Sequence, residues 1–248
     1  MKIGASTLAI LNKEFEGNLG FYEDLGIEYV ELLHQHPNTG ENRELLESFK
    51  LKYSIHTSLF DLNIASLNET MRKASVTDIK KSMDFAREID ADIVVVHPGT
   101  IPYNGRGLEN LIYEASKKSI IELGEYGREI GVTPAIENMP DIEVFIHKDL
   151  NKLNNLLESA DMYMTLDIGH ANTLGYAPDE MYFPSIKHIH MSDNNGSDDS
   201  HLTLGEGTID FKACVDKFES KKYDGIYMLE VNNNESVKNS YEYIKNLY

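Results

Sequence analysis

The sequence predicts an α/β fold, a single parallel (β/α)8 barrel of the TIM-barrel architecture spanning residues 1–248. Three observations predict it. Short β-rich runs alternate with longer helical patterns from end to end, and the alternation recurs eight times at roughly 30 residues per unit. The 248 residues show no composition shift or low-complexity linker that would divide them. Their number suits one closed barrel with a sizeable core. A doubly wound open sheet, the rival architecture, would place a Gly-rich phosphate loop after its first strand, where Thr7-Leu8-Ala9-Ile10 stands instead.

The first strand reads from Lys2 to Ser6, so the N-terminus is expected to enter the fold directly rather than act as a signal peptide. A helix over Asn18 to Leu25 leads to the second strand, Tyr29 to Leu33, and a helix over Glu41 to Phe49 leads to the third, Tyr53 to Thr57. In the next helix, Ser75 to Ile89, apolar Val76, Ile79, Met83, Ala86 and Ile89 share one face, and Ser75 with Asp78 resembles a capping box. That face is expected to pack on the barrel. The fourth strand, Ile93 to His97, runs into Pro98-Gly99 and is followed by a helix over Leu108 to Ile130. Thr133 to Glu137 is the fifth strand, with a helix over Lys148 to Ser159. The sixth strand, Tyr163 to Asp167, is broken by Gly169, and its helix is read as a short one at Pro178 to Phe183. His188 to Met191 and Ile226 to Glu230 complete the strands, with helices over Asp210 to Phe218 and Ser236 to Leu247.

Hydrophobic residues make up 41% and charged residues 26% of the chain, the composition of a soluble globular protein. No apolar run approaches the roughly 20 residues of a membrane span, so no membrane association and a cytoplasmic location are expected. The single Cys214 lacks an intrachain disulfide partner and falls in a helical pattern, as a small core residue would. A net charge of −18, from 41 acidic and 23 basic residues, gives a surface that repels polyanions. The expected partner is a small molecule rather than a nucleic acid; a monomer and a homo-oligomer both remain open.

Chemistry-bearing residues gather at one end of the strands. The C-terminal tips carry Glu31, His56, His97, Glu137, Asp167 with His170 three residues later, His190 and Glu230. The loop after the seventh strand adds Asp199 and His201. In a barrel these ends form one face, where active sites of this architecture lie. Each residue alone has an ordinary explanation, such as a turn histidine or a solvated strand end. Together they do not. Two carboxylates about 5 Å apart at an effective dielectric near 20 repel by roughly 3 kcal/mol. Gathering Glu137, Asp167, Asp199 and Glu230 repeats that cost, so protons or divalent cations must neutralise the cluster. His beside carboxylates without clustered Cys suits Zn²⁺ or Mn²⁺. Ser58 and Ser192 could serve nucleophilic catalysis, but neither lies in a nucleophile-elbow sequence.

These residues resemble the xylose-isomerase-like barrel superfamily, which includes sugar isomerases and epimerases, inosose dehydratases and the endonuclease IV family (AP endonuclease family 2). The resemblance runs from Gly26-Ile27-Glu28-Tyr29-Val30-Glu31-Leu32 through Val94-Val95-Val96-His97-Pro98-Gly99 to Leu229-Glu230. Its strongest parts are Asp167/His170 and His201-Leu202-Thr203-Leu204-Gly205-Glu206-Gly207. The tagatose-epimerase-like branch implies one divalent metal on Glu137, Asp167, His190 and Glu230. There the two glutamates flank the substrate carbon and exchange its proton through an enediolate. The endonuclease IV branch implies three zinc ions on His56, His97, Glu137, Asp167, His170, His190, Asp199, His201 and Glu230.

The ligand count favours the second branch, and the surroundings favour the first. Clear cations in the strand-end loops are Lys13, Arg106 and Lys148, whereas DNA binding draws on many. His34-Gln35-His36-Pro37-Asn38-Thr39-Gly40 lacks a basic DNA-reading character, and Glu31 fits the isomerase-like pattern. Sugar epimerases of this kind often carry Arg near the position of His201, a departure here. The expectation is therefore a metal-dependent isomerase or epimerase of a small sugar, polyol or sugar phosphate. Glu137 and Glu230 are its expected catalytic pair, and Glu31, Asn138 and His170 its expected substrate contacts. The alternatives are a multi-zinc phosphodiesterase acting on abasic DNA and a non-enzymatic barrel that binds metal or sugar.

Overall fold

In the computed structural model, which describes residues 1–10, 15–34 and 43–248, eight parallel strands close into a barrel in sequence order. They are β1 (Lys2–Ser6), β2 (Tyr29–Leu33), β3 (Lys52–His56), β4 (Ile93–Val96), β5 (Thr133–Glu137), β6 (Tyr163–Asp167), β7 (Ile186–Met191) and β8 (Ile226–Leu229). Closure comes from β1 pairing with β8, Gly4 opposite Met228. A Cβ on Gly4 would stand 2.6 Å from Met228 Cε, so the glycine makes room for the buried methionine.

The helices are α1 (Phe15–Asp24), α2 (Arg43–Glu47), α3 (Glu69–Glu88), α4 (Glu109–Ile130), α5 (Leu150–Ser159), α6 (Ile168–Thr173), α7 (Phe211–Ser220) and α8 (Asn234–Leu247). Their apolar faces meet the outer face of the sheet in one continuous core. Helix α3 buries Val76, Ile79, Met83 and Ala86 there, the stripe its spacing predicts. Cys214 is buried in α7, and burial pushes its thiol up to about 12, which makes it a packing residue. Among the described residues no helix is long and apolar enough to cross a membrane.

Two helix assignments differ from expectation. Helix α3 begins at Glu69, capped by Asn68, whose side chain accepts from the amides of Thr70 and Met71. Ser75 therefore lies inside the helix, where its hydroxyl donates to Met71 O and accepts from Asn63 N. It does not form a capping box with Asp78. The sixth strand ends at Asp167 as expected, but Gly169 lies within α6, which Asp167 caps by accepting from the His170 amide at 2.6 Å. The residues expected to form that unit's helix make only a 3-10 turn, Pro178–Glu180, since Pro184 disfavours helical backbone at Phe183. The expected start of the second helix at Glu41 lies outside the described residues, as do Lys13 and residues 35–40.

Candidate metal centre and active site

Side chains alternate across a strand, so residues two apart share a face, and here the inward set carries the chemistry. Strand register puts Asp167 beside His190, and His190 beside Met228. Glu137 at the tip of β5 and Glu230 just past β8 complete a ring with Asp167 and His190. One ligand atom from each of these four lies within 4.8 Å of all the others. His190 Nδ1 stands 3.0 Å from Glu137 Oε1, 3.0 Å from Glu230 Oε2 and 3.9 Å from Asp167 Oδ2. All four residues are buried.

Three further donor groups adjoin this ring: Glu31, His188 and His190 form a fully buried one that shares His190, and two more flank the ring. His56, His97 and Glu137 form one, with the imidazole Nε2 atoms 3.4 and 3.0 Å from Glu137 Oε2. His170, Asp199 and His201 form the other, with both Nε2 atoms 3.2 and 3.1 Å from Asp199 Oδ2. All nine residues expected as ligands are thus brought together, and Glu137 is shared by two groups.

The histidine tautomers are set by backbone carbonyls. Nδ1 of His56 donates to Thr57 O at 2.7 Å, that of His170 to Asn138 O at 2.7 Å, and that of His201 to Glu230 O at 2.8 Å. Each bond turns the Nε2 lone pair toward the carboxylates, which is how a ligating imidazole is normally held. Glu137 Oε2, Asp167 Oδ2 and Asp199 Oδ1 are buried without an aligned hydrogen-bond partner, although imidazole nitrogens stand close to Glu137 Oε2. Close approach without alignment is what donors directed at a common ion show. The oxygen and nitrogen donor set therefore fits Zn²⁺ or Mn²⁺.

The electrostatics point the same way. Burial, then the carboxylates of Glu137, Asp199 and Glu230, push Asp167 up to about 6 against the pull of His170. Burial opposes charge on His170 and His201, but Asp167, Asp199 and Glu137 around the first, and Asp199 and Glu230 around the second, raise both to about 10. Positive charge is demanded at these positions, whether as protons or as cations.

Glu31 and Asn138 sit behind the donors and do not line the cavity. Glu31 is fully buried, 2.9 Å from Nε2 of both His188 and His190, and accepts from Ser54 Oγ at 3.0 Å. Burial would raise its pKa, yet the imidazoles of His190 and His188 hold it well below the usual carboxylate range. Asn138 accepts from the Asp167 amide at 2.8 Å and donates to Asp167 O at 3.0 Å, locking β6 to β5. The polar atoms of Asn138 are spent on Asp167 inside the barrel wall, whereas Glu31 Oε1 and Nε2 of His188 and His190 are buried close together without an aligned hydrogen-bond partner. His188 escaped a reading confined to strand tips; its i, i+2 spacing from His190 was the signal available.

Asp193 also escaped notice. Buried just past β7, its carboxylate accepts the amides of Asn194, Gly205, Gly207 and Ile209 at 2.9 to 3.2 Å. It thereby shapes the loop that carries Asp199 and His201. A Cβ on Gly207 would lie 2.3 Å from Asp193 Oδ1, which explains the glycine.

The donors open on a cavity of about 310 Å³, whose lining includes Glu137, Glu230, His97, His170, Asp199 and His201. Among the described residues no lysine or arginine lines it. Arg106 and Lys148 pair outside it with Glu143 and Asp141 at 2.9 and 2.7 Å.

A family model described as xylose isomerase-like TIM barrel matches residues 19–247. The chain belongs to that family. An uncharacterized protein of Methanocaldococcus jannaschii is 34% identical over 94% of this chain and 93% of its own length. Fructoselysine 3-epimerase of Escherichia coli O157:H7 is 25% identical over 72% of this chain and 66% of its own length. A probable endonuclease 4 of Halothermothrix orenii is 27% identical over 62% of each chain. The crystal structure of a D-tagatose 3-epimerase-like protein superposes with a TM-score of 0.90 at 29% identity, covering 100% of this chain and 97% of that one.

Proposed function

We propose that this xylose isomerase-like barrel is a divalent-metal-dependent isomerase or epimerase of a small sugar or polyol. One observation carries the reading: Glu137 and Glu230 stand on one His190 nitrogen, at 3.0 Å each, and both open on a cavity without described lysine or arginine. Glu137, Asp167, His190 and Glu230 would hold the ion. When bound, a divalent ion supplies Lewis-acid polarisation of a carbonyl and its neighbouring hydroxyl. One glutamate removes the proton of the carbinol carbon beside the carbonyl, and the other returns a proton to the resulting enediolate. His170 and His201, which line the cavity, would bond substrate hydroxyls, and their Nδ1 bonds to backbone fix which nitrogen they present.

The experiment is hydrogen exchange in D₂O with a panel of ketoses. Wild type is expected to incorporate deuterium at the carbinol carbon, and Glu230→Gln to retain metal while losing exchange by about 10²- to 10⁴-fold. Full exchange by a metal-retaining Glu230→Gln enzyme would overturn the acid/base assignment.

A second reading, a multi-zinc phosphodiesterase on abasic DNA, is favoured by the two additional donor groups flanking the ring. Elemental analysis of protein purified without added metal or chelator separates the two. Three zinc ions per chain, with nicking of a plasmid carrying abasic sites, would support the phosphodiesterase; one ion without nicking supports the epimerase.

A further inference from the structure

We infer that the cavity takes a substrate whose non-reacting end is apolar, an alkyl-substituted ketose or polyol rather than a sugar phosphate. This rests on the isomerase reading and names its substrate class. Beyond the donors the lining is dominated by Leu8, Leu59, Leu62, Ile64, Met139 and Phe145. Leu8 comes from the 3-10 turn after β1, the next three from the loop after β3, and the last two from the loop after β5. Thr57, Ser58 and Thr100 add hydroxyls between them. At the mouth Leu59 is 38% exposed, and the adjacent Phe60 is 54% exposed. An apolar wall that runs from buried Ile64 to an exposed leucine gains most by being covered with apolar surface.

This wall is held in shape before any ligand arrives. Asn63 Oδ1 accepts the amides of Ala65 and Thr100 at 3.0 and 3.1 Å, while its Nδ2 donates to Thr100 O at 3.0 Å. The loop after β3 is thereby tied to the segment after β4, and a preformed wall loses little entropy on binding. The same bonds count against phosphate. The amides of Ala65 and Thr100 are spent on Asn63, and that of Phe60 on Ser58 Oγ at 3.2 Å. Among the described lining residues no lysine or arginine faces a dianion.

The test uses the full chain loaded with Mn²⁺ and three probes: D-fructose, 6-O-butyl-D-fructose and D-fructose 6-phosphate. Calorimetry gives affinity, and NMR in D₂O gives carbon-bound hydrogen exchange. Each buried methylene is worth about fourfold in affinity, so the butyl ether is expected to bind at least about tenfold tighter than fructose. The phosphate should bind more weakly than fructose. Leu59→Asn, at a partly exposed position chosen to spare folding, should shrink the butyl advantage to about threefold or less. Tighter phosphate binding, or a butyl ether no tighter than fructose, overturns the inference. Tight butyl binding without exchange of any probe keeps the substrate class and sinks the isomerase reading. Exchange without a butyl preference does the reverse.

Discussion

Among the donors that meet at the cavity, those borne on strand tips contrast with those borne on a loop. Glu137, Asp167, His190 and Glu230 come from adjacent strands β5 to β8, whose ladder fixes their spacing. Asp199 and His201 come from the segment between β7 and α7, and their side chains are 16% and 18% exposed. His201 also adopts a left-handed backbone at φ 45°, which costs a non-glycine residue of order 1 kcal/mol. The sheet positions the first set at no extra cost. The second set needs a carboxylate of its own, Asp193, with Asn232 Nδ2 donating to Ser200 O and His201 O. A strand tip is thus a ready platform for a metal site, whereas a loop becomes one only where buried polar groups replace the ladder.

The largest expected effect tests the strand-borne set. Glu137 belongs to two donor groups, so Glu137→Gln should lower proton exchange by about 10²- to 10⁴-fold and also reduce metal per chain. Elemental analysis beside the exchange assay measures both; unchanged metal and exchange would remove Glu137 from the centre.

Asp193→Asn should separate the two sets. It puts an amide NH₂ against backbone N–H donors, and each charge-assisted bond lost costs about 1.5 to 3 kcal/mol. Stability should fall by about 3 kcal/mol in urea unfolding. Spectroscopic titration with Co²⁺ should show the ring of four still occupied and binding at His170, Asp199 and His201 weakened. Equal weakening of both sets would mean that the loop has no separate scaffold.

Glu31→Gln probes the strand-borne set from behind. Its carboxylate lies against Nε2 of His190 while Nδ1 faces the ring, the arrangement in which an outer carboxylate orients a ligating imidazole. Metal affinity should fall by about 10- to 100-fold, measured by competition with a chelator, and Glu31→Asp should recover part of it. Unaltered affinity would make Glu31 a packing residue only.

The same contrast explains what could be read in the sequence. Strand tips were legible because period-two patterning and a recurring acidic or imidazole residue at one end need no knowledge of packing. Groups acting from behind were not. Glu31 and Asn138 carry the residue types of substrate contacts, and only the barrel interior shows Glu31 lying 2.9 Å from His190 Nε2 and Asn138 bonded to Asp167. Asp193 and the glycines it requires are 12 and 14 residues apart, a relation that no local pattern marks. Ser75 looked like a cap because hydroxyls favour that position, yet Asn68 bonds the free amides directly.

The smallest effect concerns a loop held by a neutral group. His147, after β5, is buried with φ 56°, and its Nε2 lies 3.1 Å from Ser116 Oγ. Ser116 donates its own proton to Pro98 O at 2.7 Å, so His147 Nε2 must be the donor. Burial lowers its pKa to about 4. Below pH about 6.5 the unfolded chain takes up a proton that the folded chain refuses until about pH 4, so stability is lost as pH falls through that window. The loss attributable to His147 should be about 2 to 3 kcal/mol between pH 7 and 4.5. His147→Asn tolerates the left-handed backbone and cannot titrate. Urea midpoints at both pH values should show the variant less stable at pH 7 but losing less on acidification. Parallel losses in the two proteins would mean that this loop, like the one on Asp193, is held without regard to a neutral imidazole.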